Sequence, residues 1–170
     1  ACQAGRKVVA FAPATGGDSL RSLLSESTGL GYEPQPEGDL GQRMASLCRW
    51  AITEGCEGVL LLGSDSPAMP ASYIDQGLAR LAAADVVIGP CVDGGYCLLG
   101  LRADAFESAA PALFEGIDWS TGRVLEQTVA ALPDEIRLAL LPTWYDVDLP
   151  EEGGFLRAHL MALARSGDTD

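Results

Sequence analysis

The chain has 170 residues, 48% of them hydrophobic and 21% charged, and this composition predicts one globular domain, residues 1–170, with a sizeable core. The formal net charge of −13 disfavours nucleic acid and anionic membranes as partners, because both repel an acidic protein. The sequence shows no signal-peptide pattern and no apolar run of the roughly 18 residues that a membrane span needs, so a cytoplasmic protein is expected.

Short apolar runs that are typical of buried strands alternate with patterns of helical spacing. In chain order, the sequence predicts a strand at 7–12, a helix at 17–27, a loop or edge segment at 31–39, a helix at 39–54, a strand at 58–63, a helix after Pro70, strands at 85–90 and 94–101, a helix at 120–132, a strand at 137–142 and a helix at 151–167. The run at 58–63 is apolar throughout, which indicates a strand covered on both faces. This alternation predicts an α/β fold with a mostly parallel sheet.

The five cysteines have no CxxC spacing, and His159 is the only histidine. An odd number of cysteines without paired spacing argues against a disulfide framework or a structural zinc site. A catalytic triad or a histidine-rich metal site would depend on His159 alone, so a packing or surface role is expected for it.

Acidic side chains follow three of the predicted strands. Asp65 lies two residues past Gly63, Asp93 follows the strand at 85–90, and Asp146 and Asp148 follow the strand at 137–142. Open α/β sheets bind ligands beyond the carboxyl ends of their strands, which parallel strands bring to one edge. Converging carboxylates repel one another unless a cation lies between them, and oxygen ligands favour Mg²⁺ or Mn²⁺. The pattern therefore predicts a divalent cation site.

Each of these acids also has a purely structural interpretation. Asp65 could cap the turn that follows it, and Asp93 could form a hairpin turn with the two glycines after it. Asp148 could cap the last helix, because Pro150 suits the first turn of a helix. Glycine-rich phosphate loops and the GxSxG motif are missing from the sequence, so a nucleotide would have to be held by other means.

Several segments in a fixed order carry a family resemblance: GSDSP, GPCVDGGYCLLGL, WSTGRVLEQT and WYDVDLPEE, preceded by QPEGDLGQRM. From about residue 7 to residue 155, the chain resembles the radical-SAM/selenodomain-associated transferases. These are a bacterial family of glycosyltransferases with the GT-A, or nucleotide-diphospho-sugar transferase, fold. The resemblance implies a Rossmann-like three-layer sandwich, a nucleotide sugar or NTP as ligand, and bound Mg²⁺ or Mn²⁺.

The resemblance also implies roles for individual residues. It implies metal ligands at Asp65 and Asp148, catalytic carboxylates at Asp93 and Asp146, sugar or acceptor contacts at Gly94, Gly95 and Tyr96, and nucleotide contacts at Asp39, Gly41, Arg43, Gly63, Ser64 and Asp65. Asp93 would position an acceptor hydroxyl or act as a base.

The family has a strand and a basic Pro/Gly loop ahead of the position of residue 7, so the chain is expected to be truncated at its N-terminus relative to the family. The leading interpretation is a metal-dependent glycosyltransferase that uses a nucleotide-sugar donor. One alternative is a nucleotidyltransferase that acts on an NTP and a phosphorylated substrate. Another is a non-catalytic interaction module whose free sheet edge would favour a homodimer.

Overall fold

The computed structural model describes residues 5–25 and 29–167. Its strands are β1 (Lys7–Phe11), β2 (Leu30–Pro34), β3 (Gly58–Leu62), β4 (Val86–Pro90), β5 (Tyr96–Arg102) and β6 (Leu138–Leu140). Its α-helices are α1 (Gly17–Leu23), α2 (Leu40–Thr53), α3 (Ala71–Leu81), α4 (Phe106–Phe114), α5 (Val124–Ala131) and α6 (Gly153–Ser166). The predicted end of the first helix lies partly outside the described residues.

The strands form two sheets, and the larger one is mixed. β1 pairs in parallel with β2, and the second sheet has the order β3-β5-β4-β6. β5 runs antiparallel to both of its neighbours, while β6 is parallel to β4. The prediction of a mostly parallel sheet is therefore wrong. The cause is the short connection 91–95, because a connection of that length can join only antiparallel strands.

The directions of the strands nevertheless bring three carboxyl ends to one edge. Because β3 and β4 are both antiparallel to β5, and β6 is parallel to β4, these three strands run the same way. The connections that follow them therefore leave the sheet on the same side. This is the edge at which the sequence predicts the acidic residues to meet.

Helices cover the larger sheet on both faces, as expected for a three-layer α/β sandwich. On one face, α2 and α4 pack through Cys48 and Leu113 against alternate residues of β4 and β5. On the other face, α3 packs through Tyr73 and Leu81 against the intervening residues. Val86, Val87 and Ile88 of β4 are fully buried, which places the centre of the core at this strand.

Two helices differ from the predictions. The sequence does not predict α4. This helix contains Pro111, and proline is disfavoured in the interior of a helix. α5 begins at Val124 rather than near residue 120, because Ser120 has a φ of 61°, which is incompatible with a helix. None of the helices in residues 5–25 and 29–167 is long and apolar enough to cross a membrane.

Candidate functional site

Three connections meet at the carboxyl edge of the larger sheet. The segment after β6 continues beside β4, where the N–H of Trp144 donates to the carbonyl oxygen of Pro90 at 2.9 Å and a parallel bridge joins Trp144 to Cys91. Three residues later, the N–H of Val147 donates to the carbonyl oxygen of Asp65 at 2.8 Å. These contacts bring the segment Asp146–Asp148 to the ends of both β3 and β4.

A buried tyrosine holds this segment in place. Tyr73 of α3 is 3% exposed, and its hydroxyl donates to the carbonyl oxygen of Pro142 at 2.6 Å. Its ring also packs against Trp144, with ring centroids 5.4 Å apart. Trp144 stacks in turn on Tyr145, whose hydroxyl hydrogen-bonds Nδ1 of His159 at 2.6 Å. His159 therefore has the packing role that the sequence predicts for it, and α6 contributes to fixing the connection.

The predicted acids come together at this edge. Burial raises the pKa of Asp146, and the nearby charges of Asp93, Asp148 and Asp65 raise it further. Like charges have this effect when they lie close enough to disfavour one another's ionisation. The structure thus shows a concentration of negative charge at the position predicted from the strand ends.

The closest group of potential ligands includes a cysteine. Single ligand atoms of Cys91, Asp93 and Asp146 lie within 4.8 Å of one another. The hydrogen bond to Cys97, burial and the charges of Asp146 and Asp93 raise the pKa of the Cys91 thiol. CxxC spacing gives no indication of a ligand role for Cys91. Its position directly after a buried strand, two residues before Asp93, is the signal that could have identified it.

The structural interpretations of the acids have different outcomes. In the turn after Asp65, the N–H of Met69 donates to the carbonyl oxygen of Ser66 at 3.0 Å, and within the described residues the Asp65 side chain accepts no hydrogen bond from this turn. Asp148 does not cap the last helix either; instead Glu152 accepts hydrogen bonds from the N–H groups of Asp148 and Leu149.

Asp93 does have a structural role in its turn. Its Oδ1 accepts the N–H of Gly95 at 2.8 Å, as expected for a turn aspartate. In the described residues, the carboxylates of Asp65 and Asp148 therefore cap neither the turn nor the helix suggested for them, whereas one oxygen of Asp93 holds the connection between β4 and β5.

Glycines shape the surroundings of these acids. A Cβ atom at Gly63 would lie 2.5 Å from Oδ1 of Asp65, so the Asp65 carboxylate folds back over Gly63. Gly94 has a φ of 92°, and a Cβ atom there would lie 2.2 Å from the carbonyl oxygen of Gly122. The resemblance implies that Tyr96 contacts the sugar or the acceptor, but the structure places its side chain in the interior. Its hydroxyl is buried in the core near Thr128, and burial raises its pKa to about 12.

The residues predicted to contact the nucleotide near residue 40 form the start of α2. Asp39 caps this helix by accepting the N–H of Gln42 at 2.8 Å, and Gln42 accepts the N–H of Asp39 in return. Gly41 is buried where a Cβ atom would meet the carbonyl oxygen of Phe114 at 2.2 Å. Nε of Arg43 donates to the carbonyl oxygen of Gly38 at 2.9 Å. Asp39 and Gly41 thus have clear structural functions.

The donor set fits a divalent cation. Carboxylate oxygens are the ligands that Mg²⁺ and Mn²⁺ prefer, and Asp146, whose pKa is raised by burial and then by the charges of Asp93, Asp148 and Asp65, lies among them. A bound cation would reverse this electrostatic balance. Cys91 adds a softer potential ligand beside the carboxylates.

Comparison with known proteins gives a family and a fold. Residues 1–121 match the model of a bacterial family described as "uncharacterized protein conserved in bacteria" (DUF2064). No curated protein matches the chain. A solved structure from Desulfovibrio desulfuricans G20, described as a "putative nucleotide-diphospho-sugar transferase", is 30% identical to the chain with a TM-score of 0.75. That match covers 96% of this chain and 74% of the other. The chain therefore belongs to the DUF2064 family and has the fold of this transferase-like structure.

Proposed function

We propose that this member of the DUF2064 family is a metal-dependent glycosyltransferase that transfers a sugar from a nucleotide-sugar donor to an acceptor. The observation that carries the proposal is the convergence of Asp65, Asp93, Asp146 and Asp148 at the carboxyl edge of the sheet. The name of the matched structure from Desulfovibrio desulfuricans supports a transferase that uses this class of donor. Membership of the radical-SAM/selenodomain-associated group stays a prediction.

Asp65 and Asp148 would hold Mg²⁺ or Mn²⁺, and Asp146 lies near both of them in the same segment as Asp148. The hydrogen bond between Val147 and Asp65 fixes the distance between these segments. Bound there, a divalent cation would supply positive charge opposite the negative charge that develops on the leaving nucleoside diphosphate. The side chains of this chain would orient the diphosphate through that site.

Asp93 would act on the acceptor. In the transfer, the bond between the anomeric carbon and the diphosphate oxygen breaks, and the acceptor oxygen forms the new bond to that carbon. The acceptor hydroxyl loses a proton, which a positioned carboxylate can take. Because the N–H of Gly95 holds Oδ1 of Asp93, the orientation of this carboxylate is fixed before any ligand binds.

The remaining contacts are proposed by position. Gly63 and Ser64 precede Asp65 at the end of β3, where their backbone could approach the diphosphate. Gly94 and Gly95 lie beside Asp93, on the proposed sugar or acceptor side. A nucleotide role at Asp39, Gly41 and Arg43 would involve the exposed start of α2, with Arg43 as the residue whose charge could reach a ligand.

The test is a thermal-shift screen with sugar nucleotides and NTPs, each with and without Mn²⁺. We expect stabilisation by a sugar nucleotide only when Mn²⁺ is present, followed by release of nucleoside diphosphate when an acceptor is supplied. Asp65→Asn should lose this stabilisation, and Asp134→Asn is its matched control. Asp134 is an exposed acid that precedes β6 and so lies toward the opposite edge of the sheet. Release of pyrophosphate from an NTP would instead indicate a nucleotidyltransferase, and stabilisation by none of these compounds would contradict both activities.

A further inference from the structure

A buried thiol lies beside two carboxylates where β4 passes into the turn that follows it. Single ligand atoms of Cys91, Asp93 and Asp146 lie within 4.8 Å of one another. Cys91 is 6% exposed, Asp146 is partly buried and Asp93 is exposed, so the group opens to solvent on the side of Asp93. Ligand bonds to Zn²⁺ are about 2.0–2.3 Å long, so small side-chain rotations would let all three atoms reach one ion. The group therefore has the geometry of a three-ligand metal site.

Backbone hydrogen bonds hold the two segments that carry these ligands. The N–H of Cys91 donates to the carbonyl oxygen of Gly95 at 3.0 Å, and the N–H of Gly94 donates to the carbonyl oxygen of Cys91 at 3.3 Å. A parallel bridge joins Cys91 to Trp144, two residues before Asp146. Because these contacts exist before any ligand binds, a metal would have to order little additional chain.

The carboxylates of this group keep oxygen atoms available for a ligand. Oδ1 of Asp93 accepts the N–H of Gly95, whereas its Oδ2 accepts no hydrogen bond within residues 5–25 and 29–167. In the same residues, neither Asp93 nor Asp146 forms a salt bridge with a basic side chain. The group thus combines negative charge with free lone pairs, both of which a bound cation can use.

An unpartnered hydroxyl in the neighbouring connection also points to a ligand at this edge. Ser66 follows Asp65, whose carbonyl oxygen accepts the N–H of Val147, the residue after Asp146. Ser66 is 8% exposed, and its Oγ has no hydrogen-bond partner in the described part of the chain. Buried polar atoms are nearly always paired with protein, water or an ion. A hydrated ion at this edge would supply such a partner.

The thiol determines which metals the group prefers. Thiolate is a soft ligand that favours Zn²⁺, whereas Mg²⁺ prefers oxygen ligands. Zn²⁺ accepts cysteine and aspartate ligands and keeps a position for water where the protein supplies only three ligands. For a given set of ligands, affinity is also generally higher for Zn²⁺ than for Mn²⁺. The mixed set of one thiol and two carboxylates should therefore prefer Zn²⁺ to Mg²⁺ and Mn²⁺.

This group differs from the proposed site for Mg²⁺ or Mn²⁺. Among the described residues, the close group contains only Cys91, Asp93 and Asp146, so the ligands Asp65 and Asp148 are outside it. The Asp65 carboxylate instead folds back over Gly63. The two sets of ligands are neighbours at one edge of the sheet, and each can be changed without changing the other.

We propose that Cys91, Asp93 and Asp146 bind a thiophilic divalent metal of the Zn²⁺ class, with water in the fourth position. On binding, the Cys91 thiol releases its proton to solvent, and the sulfur donates an electron pair to the metal. The site itself does not depend on the proposed transferase activity. One consequence does rest on that function: a metal on Asp93 occupies the carboxylate that would take the acceptor's proton, so Zn²⁺ should inhibit sugar transfer.

Co²⁺ tests this site, because a bond between Co²⁺ and thiolate gives a charge-transfer absorption in the near ultraviolet that oxygen ligands do not give. Titration of the 170-residue protein with Co²⁺ should produce this absorption, and Zn²⁺ should remove it by displacing Co²⁺. Cys91→Ala should lose the absorption. Cys48→Ala is the matched control and should keep it, since Cys48 is a buried thiol that packs in the core on the other face of the sheet.

Two further variants separate this site from a folding defect and from the Asp65 site. Asp93→Asn changes an exposed side chain, and it should weaken Co²⁺ binding about tenfold or more by removing a charged ligand. Asp65→Asn should keep the absorption. The proposal would be overturned by a wild type without the absorption, by its persistence in Cys91→Ala, by unchanged Co²⁺ affinity in Asp93→Asn, or by its loss in Asp65→Asn. Mn²⁺ binding that requires Asp65 is measured independently of the thiolate absorption, so failure here is distinguishable from failure of the proposed function.

Discussion

The N–H of Val147 donates a 2.8 Å hydrogen bond to the carbonyl oxygen of Asp65. This contact joins the connection after β6 to the end of β3, two strands that β4 and β5 separate in the sheet. Because Asp146 and Asp148 flank Val147, a single backbone contact brings two acidic residues to a third. Burial raises the pKa of Asp146 and the charges of the neighbouring acids raise it further, and this repulsion is the electrostatic reason to expect a cation.

Gly63→Ala should weaken Mn²⁺ binding without removing a carboxylate. The new methyl group would lie 2.5 Å from Oδ1 of Asp65, and the end of that flexible side chain can move away at little cost in stability. Isothermal calorimetry should therefore show weaker Mn²⁺ binding, while the melting temperature changes little. Gly153→Ala is the control, because nothing lies within 4 Å of its Cβ position. Equal affinities in the two variants would show that the position of the Asp65 carboxylate does not matter for the metal.

Asp146→Asn should stabilise the metal-free protein at pH 7. A carboxyl whose pKa is raised by folding binds its proton more strongly in the folded state, so its ionisation disfavours folding as pH rises from the unfolded value of about 4. An amide carries no charge, so it removes both the cost of burying a carboxylate and the repulsion from Asp93, Asp148 and Asp65. Urea denaturation of the metal-free variant should give a higher free energy of unfolding than the wild type at pH 7, and the difference should shrink toward pH 4. A lower stability of the variant at pH 7 would contradict the electrostatic description.

Asp85→Asn should destabilise the protein in a pH-dependent manner. The carboxylate accepts the backbone N–H and Nε of Arg137 at 2.9 Å each, and these hydrogen bonds lower the pKa of Asp85 to about 2. Hydrogen bonds to a charged group contribute roughly 1.5–3 kcal/mol when buried, and we expect about 1–2 kcal/mol here because Arg137 is largely exposed.

The pH profile separates this ion pair from a general effect of mutation. Because folding lowers the pKa of Asp85, its contribution is complete above the unfolded value of 3.8 and is lost as pH falls toward about 2. The difference between wild type and Asp85→Asn should therefore narrow between pH 4 and pH 2 in urea denaturation. Asp104→Asn is the control, since Asp104 pairs with Arg102 at an exposed position and should change stability little. A difference that is independent of pH would contradict the assignment.

Gly94→Ala should be much more destabilising than Gly116→Ala. Both glycines have positive φ angles, of 92° and 68°, which cost a residue with a Cβ atom about 1 kcal/mol. Only Gly94 also packs against backbone, with Gly122 O 2.2 Å from the Cβ position, whereas nothing lies within 4 Å at Gly116. Thermal unfolding should show a small loss for the Gly116 variant and a loss of several degrees more for the Gly94 variant. Similar losses in the two variants would show that the backbone of Gly122 does not exclude a Cβ atom at position 94.

The sequence predicts most of the strands, because continuous apolar runs such as 85–90 can be identified without neighbouring elements. The wrong prediction of a mostly parallel sheet came from the alternation of strands and helices, whereas the short connection before β5 already indicates that β5 is antiparallel to β4. α4 is missed for a different reason: Pro111 suggests a break, yet the helix is covered by the core through Ala109 and Leu113. Tertiary packing outweighs the local preference at that position.

The acids of the site could be predicted because each follows an apolar run, and strand ends are visible in the sequence. Cys91 also follows an apolar run, but its proximity to Asp146 depends on the bridge between Cys91 and Trp144, which the sequence does not show. The structural use of Gly41 is equally invisible from the sequence, because the carbonyl oxygen that it faces belongs to Phe114, far away in the chain. Positions relative to strand ends are therefore predictable, whereas contacts between distant segments are not.

Mn²⁺ binding to the wild type, Asp65→Asn, Asp146→Asn and the control Asp134→Asn, measured by isothermal calorimetry, tests the central claim most directly. If the converging acids form a cation site, the wild type and the control bind Mn²⁺ with the same affinity. Each site variant should then bind at least about tenfold more weakly, which corresponds to about 1.4 kcal/mol. Unchanged Mn²⁺ affinity in both Asp65→Asn and Asp146→Asn would contradict the claim that these carboxylates form a cation site.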